Sequence, residues 1–456
     1  MHSKAHTSDL TTAPIPQLIR RLAIPAGTGF FFNTMFNVID TWYGGRISTT
    51  ALAALSLCFP VFFIILSVGS GISTGATALI GNALGRGERE EANRYVLQSL
   101  SFTLVNALLL TIAGLAASPA IFRFMGASGE YLQLSVSYMN VIFCGTAFFL
   151  MNFVMSAVLN SHGNAAPYRN LLVASFFFNL VLDPWFIYGG LGVPPLGLPG
   201  IALATILIQC CGNFYMFSSL SRLKIVRSFR LRELLPSLHH YRHLAEQGFP
   251  SAINMLTVSL GIFIITWFAG RFGHEIVAAY GIATRIEQIA LLPLMGLNIS
   301  TLALTAQNFG AERYDRIRRM LSISLRYGFT LAACGTVAAL LFTRQLMSFF
   351  TKDPAVIAEG VRFLKIEAFV FPAYVLLYMC VSAMQGIKRP AFGLWIGLYR
   401  QIAAPWLVFQ VLAISLGWGV MGIWWGIFAT TWSAAIIVVF YVAWVLKKLE
   451  KDSAIV

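Results

Sequence analysis

Three acids stand where acids are expensive. Asp40 in "FNVIDTWYGG", Asp183 in "NLVLDPWFIYGG" and Glu287 in "TRIEQIALLPLMG" lie inside long apolar runs, whereas nearly all the other acidic residues fall in polar breaks or near run ends. An ionised acid at mid-bilayer costs about 2.5–3.5 kcal/mol on insertion scales, so one kept there is read first as functional. Asp40 lies shortly before the turn Gly44-Gly45 and Asp183 shortly before Gly189-Gly190, which sets both at a similar depth. Asn179 is one helical turn before Asp183 and shares its face. Thr205, early in the run that follows, and Tyr138, early in the fourth, reach a matching level. Two carboxylates with an amide, a hydroxyl and a phenol suit a proton or a small hard cation, and Na+ would take Asp40, Asn179, Asp183 and Thr205. Glu287 follows Arg285 at a spacing that does not pair on a helix. It is a candidate either for a second ion site or for a structural charge pair, with Arg400 as the obvious partner.

The runs that carry these residues set the class. The chain has 456 residues, 57% hydrophobic and 11% charged, where a soluble domain is about a quarter charged. Twelve apolar runs of bilayer-spanning length recur, roughly 16–43, 50–83, 95–118, 131–160, 167–189, 198–220, 246–270, 276–308, 318–342, 361–386, 392–416 and 421–446. Their length favours helices over a β-barrel, whose strands are short and alternate. The expected fold is an all-α polytopic membrane protein with 12 transmembrane helices. The net charge of +14 is a matter of topology, not of nucleic-acid binding: 22 of the 32 Lys and Arg fall on the side shared by the two termini and the even-numbered loops. By the positive-inside rule both termini are expected in the cytoplasm, in a multi-pass plasma (inner) membrane. The first apolar run is too long for the core of a cleavable signal peptide. The six cysteines lie inside apolar runs and imply no disulfide or metal framework.

The chain also repeats itself. Shifted by 225 residues, "GISTGATALIGNALGRGE" from Gly71 lies over "GLNISTLALTAQNFGAER" from Gly296, Arg94 over Arg319 and Pro25 over Pro250. Further on the shift becomes 221, and "DPW" at 183–185 meets "APW" at 404–406. Six spans per copy make the copies parallel, related by an axis along the membrane normal. The expected organisation is a lead at 1–15, a six-helix lobe at 16–220, a basic cytoplasmic linker at 221–245, a second lobe at 246–446 and a tail at 447–456. Matched prolines, Pro25/Pro250 and Pro184/Pro405, point to architecture, with Pro25 a candidate hinge in the first span. The acids break the symmetry: Asp40 faces Ile265 in the alignment, Asp183 faces Ala404, and Asn179 faces Arg400. If Asp40 and Asp183 merely served the fold, the second copy would be expected to keep them.

"FNVIDTWYGGRISTTALAALSLCFP", "NLVLDPWFI" and the paired ends "GNALGRGE" and "QNFGAER" resemble the multidrug and toxic compound extrusion (MATE) family over nearly the whole chain. The resemblance implies two pseudo-symmetric six-helix bundles around a V-shaped cleft, and export of organic cations in exchange for inward H+ or Na+. It implies that Asp40, Asn179, Asp183, Tyr138 and Thr205 form the cation-coupling site, with Pro25 at the bend of the first span and Glu287 open as a second coupling site. Asn33, Met35, Asn152 and Ser156 stand where substrate contacts are expected, Ser156 replacing a further asparagine of some relatives. The chain departs from the branch that carries an acid in the seventh span, since "AINMLTVSLGIFIITWF" has none.

Other signals point away from catalysis. "GISTG" at 71–75 has the G-x-S-x-G spacing of a nucleophile elbow, but it sits in a long apolar helix with no strand before it, so its small residues are expected to pack spans together. No P-loop occurs, and the histidines His239, His240 and His243 read as part of a soluble connector. The chain is therefore expected not to be an enzyme and to need no cofactor beyond the coupling ion H+ or Na+. Its expected partners are small organic cations and membrane lipids, with the protein itself a monomer. A lipid-linked sugar flippase of related architecture is the rival reading, and it would call for several bases facing a pyrophosphate rather than acids.

Overall fold

Hydrocarbon offers the backbone no hydrogen-bond partner, so a membrane-spanning chain closes its hydrogen bonds within helices. The computed structural model describes residues 10–190, 192–222 and 231–453 and is helical almost throughout. Among the described residues there is no sheet, only an isolated bridge between Gly190 and Val193. Of the basic positions used above for topology, Lys4, Lys224, Arg227 and Arg230 lie outside the described residues.

The first half of the chain forms α1 (Ile15–Ile47), α2 (Thr49–Gly85), α3 (Arg89–Phe124), α4 (Gly129–Cys144), α5 (Thr146–Ser161), α6 (Ala166–Tyr188) and α7 (Leu198–Arg222). The second forms α8 (Leu238–Gly270), α9 (His274–Gly310), α10 (Tyr314–Phe350), α11 (Pro354–Glu367), α12 (Phe371–Gly386), α13 (Pro390–Leu398), α14 (Ala404–Phe409) and α15 (Val420–Ser453). Among the described residues nine helices are long and apolar enough to span a membrane, and eleven spans result if the bent pairs α4–α5 and α11–α12 each count once. The expected run 392–416 is segmented: α13 passes through a π-helical turn at Tyr399–Ala403 into α14 and a second π turn at Gln410–Ser415. The protein is a multi-pass helical membrane protein. Its outward-facing surface agrees, with Leu108, Leu109, Ile112 and Phe263 all well exposed on spanning helices, where lipid replaces water as the solvent.

Two compact units divide the described chain. One holds Thr28–Ala252; the other holds the chain up to Gly27 and from Ile253 onward. The boundaries fall at repeat-matched places, just after Pro25 in α1 and just after Pro250 in α8. In the first unit α2 packs on α3, α4 and α5 around Ile65, Ile80, Phe122, Met139 and Leu159. The motif Gly71–Gly75 lies in this core: a side chain at Gly71 would press on the Gly248 carbonyl and Ala252, and one at Gly75 on the Leu244 carbonyl. The small residues thus serve close helix approach, as their setting in an apolar run suggested. In the second unit α9 packs on α10, α11 and α12, with Phe268, Tyr280, Phe363, Phe409 and Trp424 as its largest core groups.

The backbone keeps the repeat even where the sequence does not. The left-handed turn residues Gly87 (φ +79°) and Gly163 (φ +77°) are matched by Glu312 (φ +56°) and Lys388 (φ +61°), the two non-glycine residues with positive φ among those described. Each accepts a conformation that costs a residue with a Cβ roughly 1–2 kcal/mol, because the turn has to be kept. The broken spans are matched too. Thr111 Oγ1 donates to the Phe143 carbonyl at 2.7 Å at the 48° bend between α4 and α5, and Thr336 Oγ1 donates to the Ala368 carbonyl at 2.6 Å at the 53° bend between α11 and α12. A bend frees carbonyls from the helical ladder, and these hydroxyls satisfy them inside an apolar core. Near the C-terminal ends of α1 and α8, Arg46 lies 5.1 Å over the Trp42 ring and Arg271 lies 3.9 Å over Trp267, again a matched pair.

Thr111→Val and Thr336→Val should each lower stability by about 1–3 kcal/mol, the cost of a buried acceptor left without its donor. The serine variants should retain most of it. Thermal unfolding of the detergent-purified protein reads the difference, and a valine variant as stable as wild type would show that the bend needs no hydroxyl.

Candidate functional site

Within the first unit, α1 and α6 bring Asp40 and Asp183 face to face. Phe32 of α1 packs edge-on to Phe176 of α6, with ring centroids 5.4 Å apart, which holds the two helices together about two turns before the acids. Asn179 Nδ2 donates to Asp40 Oδ1 at 2.9 Å, so the residue one turn before Asp183 reaches across to the acid of the other helix. Asp183 is fully buried, and neither of its carboxylate oxygens completes a hydrogen bond, although Asp40 and Asn179 are its electrostatic neighbours. Asn179 is itself fully buried, and its Oδ1 is unsatisfied. A cluster of buried acceptors short of donors is costly as it stands, and it offers lone pairs to whatever small positive species enters.

The other expected members take distinct places. Tyr138 on α4 has both Asp40 and Asp183 among its electrostatic neighbours, and so belongs to the same locus. Thr205 is buried on α7, where its hydroxyl donates to the Ile201 carbonyl at 3.0 Å, one turn back on its own helix. Its oxygen keeps acceptor capacity only. Pro25 lies within an unbroken α1. Below it, α1 approaches α9 so closely that a side chain at Gly296 would overlap the Ala23 carbonyl.

Among the expected substrate contacts, Asn33 is exposed on α1 and Met35 half-buried. Asn152 and Ser156 are buried on α5. Asn152 Nδ2 donates to Gln209 Oε1 at 2.7 Å and to the Gln209 carbonyl at 3.1 Å, and Ser156 Oγ accepts from Asn160 Nδ2 at 3.3 Å. With Asn213 Nδ2 donating to the Phe148 carbonyl at 2.9 Å, these side chains make a polar seam between α5 and α7.

Two groups near the acids escaped the sequence reading. Tyr43, one turn beyond Asp40, donates its hydroxyl to the Leu180 carbonyl at 3.3 Å and ties α1 to α6. Its spacing from Asp40 could have flagged it, but an aromatic residue near a membrane surface reads first as an interfacial anchor. Glu367, in the second unit, is 1% exposed with both oxygens unpartnered. The sequence assigns it to the start of a span, where acids are cheap. The bend at the end of α11 carries it into the core instead. Glu287 and Arg400 are its electrostatic neighbours, and among the described residues Arg400 forms no direct ion pair with either acid. The histidines at the start of α8 are engaged by α3: the His243 Nδ1 and the Tyr95 hydroxyl are 2.8 Å apart, and the His240 ring lies 3.4 Å from Glu91.

Comparison with known proteins follows this geometry. The MatE family model matches residues 25–185 and 250–405, one segment in each repeat. A protein of Shewanella oneidensis described as an FAD transporter is 26% identical over 396 residues, covering 86% of this chain and 87% of its own. A Thermotoga maritima protein described as the probable multidrug resistance protein NorM is 26% identical over 343 residues, 74% of this chain and 72% of its own. Among solved structures, one described as MATE in the bent conformation superposes with a TM-score of 0.92 at 25% identity, covering 99% of this chain and all of the other.

Replacing Asn179 by Ala removes the donor on Asp40 and should cost about 1.5–3 kcal/mol, the range for a hydrogen bond to a charged group. Thermal unfolding at neutral pH measures it. A change of a few tenths of a kcal/mol would mean that the bond contributes nothing to holding the acids.

Proposed function

The chain belongs to the MatE family, one relative is described as a probable multidrug resistance protein, and on that premise we propose that it exports organic, mainly cationic and aromatic compounds across the plasma membrane in exchange for inward H+ or Na+. The observation that supports this most directly is the Asp40–Asn179–Asp183 constellation, in which the buried Asp183 has no carboxylate oxygen in a well-formed hydrogen bond. Such a group is stable only when something neutralises it, and a transporter uses that instability by letting two occupants alternate. Asp40 and Asp183 are neighbours and titrate as a pair, so a single ion lowers the charge of the pair by one. Fully charged, they favour a bound cationic drug; with that charge reduced by a proton or Na+, they release it. Net coupling requires this opposition between drug and ion. The basic loops favour cytoplasmic termini.

Within this reading each residue has a role. Asn179 holds Asp40 in register with Asp183, Tyr138 supplies a phenol that donates to whichever carboxylate is charged, and Thr205 offers an acceptor oxygen suited to Na+. Pro25, just before the point in α1 where the chain passes from one compact unit to the other, is where α1 adjusts when the acids change charge. Glu287 enters as part of a second ion-carrying group.

The relative described as an FAD transporter supplies a second reading, because flavin adenine dinucleotide is an aromatic but anionic cargo. Acids in the first unit disfavour an anion unless it enters with neutralising ions, so the cationic class is preferred.

Everted vesicles separate these readings. Ethidium should accumulate when a pH or Na+ gradient is imposed, and radiolabelled FAD should not. Asp40→Asn and Asp183→Asn should each reduce the gradient-driven flux to the no-gradient background while inserting into the membrane normally. Normal pumping by both variants would remove the acids from the mechanism.

A further inference from the structure

The second unit contains its own acid pair, Glu367 buried and Glu287 half-buried, built from different helices. Glu287 comes from α9 and Glu367 from the last turn of α11. Their counterparts in the first repeat, Phe62 and Ile142, are apolar. Around them stand Tyr280 on α9 and Tyr374 and Tyr378 on α12, with Arg400 on the π-helical turn Tyr399–Ala403. The Arg400 guanidinium lies 5.4 Å over the Tyr374 ring. Trp424 of α15 closes the shell against Phe363 and Tyr280, with ring centroids at 4.7 and 6.1 Å, and its buried indole N–H is unpartnered. Among the described residues no other charged side chain is an electrostatic neighbour of the two acids.

Arg400 occupies the position that Asn179 holds in the first repeat. The same helix site thus carries the organising group in both units, an amide between Asp40 and Asp183 and a guanidinium beside Glu287 and Glu367. A π turn inserts an extra residue and re-aims the side chains that follow it, and such turns gather at functional sites.

Charge counting determines what this cluster holds. Guanidinium stays protonated in proteins, so two ionised acids and Arg400 carry one uncompensated negative charge. An unpaired charge in an apolar core is strongly disfavoured. A metal cation fits poorly, since the guanidinium repels it and no group of three His, Cys, Asp or Glu occurs among the described residues. A proton fits: placed on one oxygen, it cancels the charge and supplies a hydrogen-bond donor to a pair of acids that otherwise has only the Tyr374 phenol within reach of both. We propose that Glu287 and Glu367 hold one exchangeable proton between them, so that the second unit carries a proton-binding site of its own, independent of Asp40 and Asp183.

In the transport cycle this site would add a second proton to each exchange. That consequence rests on the antiport reading; the proton's presence does not. Infrared spectroscopy of the full-length protein in lipid tests it, by counting buried protonated carboxyl groups through their C=O stretch at neutral pH. In the Asp40→Asn/Asp183→Asn background about one such group should remain, shared by the pair. Adding Glu287→Gln or Glu367→Gln should remove it, whereas adding Arg400→Gln should raise the count to about two, because both acids then need a proton. Opposite changes from two disruptive substitutions cannot come from misfolding. Absence of the band in the double-Asn background, or the same direction of change for Glu367→Gln and Arg400→Gln, would overturn the assignment. If the double-Asn protein still pumps yet shows the predicted band, the first-unit mechanism fails and this site stands.

Discussion

A chain dissolved in hydrocarbon has to satisfy each backbone donor and acceptor from within. That constraint makes continuous helices the default, so each departure from helical continuity requires a named partner. At the bends between α4 and α5 and between α11 and α12, Thr111 and Thr336 provide it. Where the spans instead close up, glycines such as Gly71, Gly75 and Gly296 let one backbone lie against another. The same logic extends to side chains. Asn152, Gln209 and Asn213 hydrogen-bond along a seam, whereas Asp183 and Glu367 each keep both carboxylate oxygens short of a hydrogen bond.

Among these groups the unpartnered carboxylates carry the most information, because they bear charge. Asp183 and Glu367 are both buried, both lack hydrogen-bond partners and both face a second acid, yet they stand on helices that do not correspond between repeats. Duplication preserved the backbone so closely that Glu312 and Lys388 adopt left-handed conformations matched to glycines. It did not preserve the acids. A shared scaffold therefore supports two chemically distinct acid sites, one organised by Asn179 and one beside Arg400, at the same helix position.

Much of the first site is legible in the linear chain because its signal is local. An acid in the middle of an apolar run is conspicuous, and Asn179 one turn before Asp183 follows from helical period alone. Thr205 and Tyr138 were reached by counting depth from turns. Depth says nothing about the direction in which a hydroxyl points, and Thr205 donates to its own helix. Tyr43 was passed over because its aromatic character and surface depth suggested an anchor.

Hydropathy, repeat register and charge bias are properties of neighbouring residues, so the amino-acid sequence alone determined the helical membrane class, the duplication, the twelve apolar runs and the Asp40–Asp183 pair. Tertiary structure alone decided the burial of Glu367, the placement of Arg400 on a π turn and the division of α1 between two contact units. The reason is geometric. A residue near the end of an apolar run is exposed in a straight span and buried in a bent one, and the bend depends on what packs against it, here Thr336 reaching across from α10.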